Sequence, residues 1–158
     1  MKRGLALAIL ALLAVEAGAH QDRRLTLSPD GAIPELPAPY DTTRLHVDFI
    51  GPGVSRLAAI SLSVPGHALR LPPCLLAQIP EASKATTELT GSWYHDLDQM
   101  PPYVQVRIRP ARAKSNRAGD ESVELLFSLR DATLMSAMQH ALIGEDAVQA
   151  HPLDAACR

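Results

Sequence analysis

Three of the six aromatic residues in the chain, Trp93, Tyr94 and Tyr103, fall within eleven consecutive positions. His95, Asp96, Asp98 and Met100 lie between them, and the rigid pair Pro101-Pro102 precedes Tyr103. Aromatic side chains give large contact area at small entropic cost, and prolines lessen what must be ordered on binding, so this composition suits recognition of another protein. The alternative is that Trp93 and Tyr103 anchor a core while the polar residues fill a connection. Directly downstream, Arg107, Arg109, Arg112, Lys114 and Arg117 place five cations in eleven residues. On an otherwise acidic chain such a run either docks an acidic or anionic partner or forms a solvated face that guards a strand edge. Trp93, Tyr94, His95 and Tyr103 are therefore the candidate contact surface, with Arg107 and Arg109 at its rim.

Metal-ligating patterns are sparse. His95-Asp96-x-Asp98 and His46-x-Asp48 each combine imidazole and carboxylate, but neither has a second spaced His or Cys nearby. A further candidate is His20, which becomes the first residue if the leader described below is removed. A terminal histidine offers its amine and ring together, a nitrogen geometry that suits copper. Some secreted copper oxygenases and periplasmic copper carriers begin in this way, which makes copper binding through His20 the first alternative to protein recognition. The second alternative is a small secreted hydrolase. The sequence contains no Gly-x-Ser-x-Gly elbow, no His-Glu-x-x-His and no phosphate-binding glycine loop. Asp48, Ser61, Ser63 and His67 are the polar residues from which a hydrolytic set would have to be built, and Asp96 with Asp98 would serve as an acid and base pair only in differing environments.

The placement of these residues depends first on compartment. Lys2 and Arg3 precede an apolar run from Leu5 to Val15, and Ala17-Gly18-Ala19 supplies small residues at the positions a signal peptidase reads. Residues 1–19 are therefore expected to be a signal peptide, with the run too short to span a bilayer. The mature chain would carry 13 basic and 16 acidic residues, a net charge of −3, after Lys2, Arg3 and Glu16 are removed. That balance disfavours broad nucleic-acid binding. Cys74 and Cys157 are the only cysteines, and in an oxidising periplasmic or extracellular space they are expected to pair with each other. Without a Cys-x-x-Cys spacing the pair reads as structural rather than redox-active.

All 13 prolines lie beyond residue 19 and leave few windows for a long helix. Residues 20–44, with Pro34, Pro37 and Pro39, read as an extended proline-rich arm, and 45–158 as one β-rich globular domain. Period-two alternation predicts strands near 45–50, 57–64, 68–71, 103–109 and 123–129, with a further strand over 88–94 interrupted by Gly91. Pro73 is placed to start a short helix over 74–79. Residues 81–87 read as polar loop, 110–121 as exposed loop, and the last fifteen residues as irregular chain returning to Cys157. Residues 133–143 fit either a helix or an antiparallel strand, and their Ala, Met, Gln and Leu content tips the reading slightly towards helix. The expected fold is mainly β, or α+β: a single small antiparallel sheet or sandwich with one or two short helices and one disulfide.

These features suggest an exported soluble binding protein, periplasmic or secreted, of the inhibitor or immunity type that occludes a toxin or cell-wall enzyme. Its partner would be another exported protein, with no cofactor, no nucleic acid and no membrane span. The step from size and compartment to inhibition is an analogy.

Overall fold

Apolar residues that alternate with polar ones can bury every second side chain in a sheet, and this chain does so in two antiparallel layers. The computed structural model describes residues 22–51, 56–79, 82–92, 101–110, 121–144 and 147–157. Among them are nine strands and one four-residue helix, which makes the fold mainly β.

The smaller layer has the order β2-β3-β4, with β2 Arg44–Ile50, β3 Arg56–Val64 and β4 His67–Arg70. Leu45, Ile60, Leu62 and Val64 are buried on its inner face. Pro65-Gly66 turns β3 into β4, and Gly66 takes the positive φ of 80° that a side chain would resist. The larger layer has the order β1-β5-β6-β7-β8-β9. Its strands are β1 Arg23–Arg24, β5 Ala82–Ser92, β6 Tyr103–Pro110, β7 Ser122–Ser128, β8 Leu134–Ile143 and β9 Ala147–Pro152.

Val104, Val106 and Ile108 of β6 stand opposite Phe127, Leu125 and Val123 of β7, and all six are fully buried. They meet the inner face of the smaller layer in one continuous core. At about 25 cal/mol per Å² of apolar surface removed from water, these two strands are the energetic centre of the fold. The N-terminal stretch contributes to the same core through Leu25, Ile33 and Leu36, and its Ala38–Pro39 peptide bond is cis.

Helix α1, Pro73–Leu76, starts at the proline as expected and buries Leu75 and Leu76. Cys74 on this helix forms the expected disulfide with Cys157, 83 positions away, with the two Cα atoms 5.8 Å apart.

Three local expectations are corrected. Residues 133–143 are not helical but form β8, which pairs with β7 on one side and β9 on the other. Helix propensity is a weak prior, and two flanking ladders override it. Residues 81–87 are not simply loop, because β5 begins at Ala82. Ala82 opposes Pro110 and Thr87 opposes Ile108, so five steps along β5 match two along β6. That bulge accommodates a polar stretch with no alternation to read. The final residues do not wander: β9 pairs with β8 over its whole length before the chain turns back to Cys157.

Candidate interaction surface

In β6 the side chains opposite to Val104, Val106 and Ile108 are those of Tyr103, Gln105, Arg107 and Arg109, so the outer face of the larger layer carries three of the residues singled out in the sequence. The register of the neighbouring strands sets what surrounds them. Arg107 stands opposite Glu88 on β5 and Glu124 on β7. Its Nε donates to Glu124 Oε1 at 2.8 Å, and its Nη2 lies 2.7 Å from the same oxygen. The other carboxylate oxygen, Oε2, lies 3.4 Å from Nε2 of His140 on β8. At the far side Arg24 Nη2 approaches Glu88 Oε1 at 3.9 Å. A row of alternating charge, Arg24, Glu88, Arg107 and Glu124, thus crosses four strands and ends beside His140 on β8.

The members of the row differ in environment. The side chains of Arg107 and Glu124 are 28% and 22% exposed, whereas Arg24 is 82% exposed. The Arg107–Glu124 contact is therefore much less weakened by solvent than the Arg24 contact, which is worth little.

Tyr103 stands at the start of β6 on the same face, and its hydroxyl donates to Asp22 Oδ1. Burial and the neighbouring Asp22 carboxylate, through both the hydrogen bond and its charge, push the phenol up to about 12. Arg109 is half-buried near the end of β6.

Two depressions adjoin this face and the layer interface. One, of about 280 Å³, is bordered by Glu121, Ser122, Gln139, His140 and Leu142. The other, of about 140 Å³, opens between the layers and is lined by Leu25, Leu27, Val47, Phe49 and Leu89 among others. It is apolar and large enough for a single side chain, below the roughly 300 Å³ typical of small-molecule sites.

The structure thus brings Tyr103, Arg107 and Arg109 onto one face. Trp93, Tyr94, His95, Asp96 and Asp98 lie outside the described residues, as do Arg112, Lys114, Arg117 and the copper candidate His20. His46 and Asp48 share the outer face of the smaller layer, but among the described residues no three metal-ligating side chains gather. The hydrolytic set is not assembled. Ser61 and Ser63 face outward with Asp48, while His67 pairs with Val64 and so takes the opposite parity. Glu124 and His140 were not picked out from the sequence, because only the strand register reveals that they meet Arg107.

No family model, curated protein or solved structure matches this chain. Among the described residues no helix is long and apolar enough to cross a membrane.

Proposed function

We propose that the protein is an exported binding protein, periplasmic or secreted, that captures another exported protein and acts as an inhibitor or immunity protein by occluding it. Support for export comes from the leader-like residues 1–19 and from the Cys74–Cys157 bridge, a bond that persists in oxidising compartments.

The observation that carries the binding reading is the outer face of β6. Tyr103, Arg107 and Arg109 project together from a central strand, beside a row of alternating charge in which the Arg107–Glu124 pair is held at hydrogen-bond distance. A patterned charge row discriminates among partners because a wrong partner brings like charges into register. Trp93, Tyr94 and His95, which lie between β5 and β6 in sequence, are further partner contacts in this reading.

The test uses the processed, oxidised protein immobilised and exposed to the exported-protein fraction of its own host. A retained polypeptide should be lost with Trp93→Ala and with Arg109→Glu while both variants melt as wild type does. Retention unchanged by both substitutions would refute the proposed surface. An N-terminus at Met1 in native material, read by mass spectrometry, would refute export.

A further inference from the structure

We propose that the free edge of β9 is a self-association site, at which a second copy of this chain adds its own β9 in antiparallel register. This goes beyond the binding face described above and does not depend on it.

Among the described residues β9 pairs only with β8, and all six of its residues are exposed. The ladder shows which backbone groups point away from β8. Leu153 N–H donates to Ala137 C=O at 2.9 Å, one step beyond the Met138–Pro152 pair. In an antiparallel ladder bonded pairs alternate with non-bonded ones. Ala147, Gln149 and His151 therefore bond to β8, while Val148, Ala150 and Pro152 turn their backbone groups to the open edge. Pro152 has no N–H to offer, and the register places that missing donor on the outward side, where a strand tolerates proline.

Natural edges are usually guarded by charge, especially lysine. Ala147–Pro152 contains no Asp, Glu, Lys or Arg, so the paired strand positions themselves set no like charges opposite each other. A two-fold axis at Gln149 pairs Val148 of one copy with Ala150 of the other. Each of these residues donates one N–H and accepts at one C=O, giving four hydrogen bonds without calling on Pro152. Gln149 then faces its own copy, where the two amides are mutually compatible. Val148 and Ile143, 42% and 49% exposed, lie on this same hairpin and are two of the three large exposed apolar residues among the described residues. A six-residue edge meeting itself falls below the roughly 1,200 Å² of standard interfaces, so the dimer is reversible.

Sedimentation velocity on the processed, oxidised chain should show monomer converting to dimer as concentration rises towards millimolar. Ala150→Pro removes an outward donor but no bond to β8, and should weaken association at least about tenfold. Gln149→Lys and Gln149→Glu should each weaken it similarly by setting like charges opposite each other, and an equimolar mixture of the two should recover dimer. A wild-type chain that stays monomeric throughout, undiminished association in Ala150→Pro, or no recovery on mixing would overturn the proposal.

Discussion

Gln78 holds the backbone of Asp154 in both directions: its side-chain amide donates to the Asp154 carbonyl at 3.1 Å, and its side-chain oxygen accepts from the Asp154 N–H at 3.0 Å. The same amide also donates to Cys74 C=O at 3.2 Å, so one side chain ties α1, the chain terminus and the neighbourhood of the disulfide together. Asp154 in turn accepts from the Ala156 and Cys157 N–H groups at 3.0 Å, shaping the turn that delivers Cys157. Gln78→Ala should therefore cost about 1–2 kcal/mol in chemical denaturation, as three hydrogen bonds are lost, each exposed to solvent and so at the low end of the ordinary range. Gln78→Glu keeps the acceptor but not the donor, and should fall between the two.

The bridge itself closes a loop of 83 positions. Chain-entropy reasoning assigns about 4–5 kcal/mol to such a loop, an upper figure that measured bridges often miss. The Cys74→Ser, Cys157→Ser double variant should lose most of that stability in equilibrium denaturation. In that variant Gln78→Ala should cost less than in the bridged protein, because the terminus it holds is no longer tethered.

Much of the fold was legible where alternation was strong. β3, with Ile60, Leu62 and Val64 set against Ser61 and Ser63, and β6, with Val104, Val106 and Ile108 set against Arg107 and Arg109, carry their inner and outer faces openly in the sequence. β8 did not, because Ala137 is its only buried residue and helix-favouring types fill the rest. β9 is solvated on both faces and leaves no alternation to detect. Of the candidate surface, Tyr103, Arg107 and Arg109 could be found from one strand. Glu124 and His140 could not, since their relation to Arg107 is created by the pairing register of three successive strands, which the sequence does not state.

Glu124 is held by Arg107 on one oxygen and approached by His140 on the other. Glu124→Ala leaves a half-buried guanidinium without its acceptor, and should destabilise the protein by about 1.5–3 kcal/mol, the range for hydrogen bonds to charged groups. Glu124→Gln retains an acceptor and should cost less. The comparison is made by thermal or urea unfolding at neutral pH and low salt, where the charge row is least screened.

Tyr103 makes stability depend on pH at the alkaline end. Burial, and then the Asp22 carboxylate, push its phenol up from an ordinary value of 10.0 to about 12 in the folded protein. The raised value favours the protonated folded form, so the contribution is complete below pH 10 and is lost as pH rises from there through 12. Absorbance at the phenolate band should show one tyrosine titrating late, and Tyr103→Phe should remove both that late step and the associated fall in stability.

Gly91 is the position at which the N-terminal stretch docks onto the larger layer. It faces inward on β5 between Arg23 of β1 and Val104 of β6, and Leu25 donates its N–H to Leu89 C=O at 2.9 Å alongside. A Cβ at Gly91 would lie 2.7 Å from the Tyr103 carbonyl oxygen and 2.9 Å from Leu25 Cδ1. The first of these is backbone in a central ladder and cannot yield cheaply, and Leu25, 6% exposed, must move as well. Gly91→Ala should then cost about 1–3 kcal/mol, as for overpacking elsewhere. Its signature should be local. Amide exchange at Leu25 should accelerate more than exchange at Val106 or Leu125, which lie in the β6–β7 centre of the core. Combined with Leu25→Ala, Gly91→Ala should lose less than the sum of the two single losses, because the space the new methyl needs is then empty, and full additivity of the two would show that Gly91 and Leu25 do not share that contact.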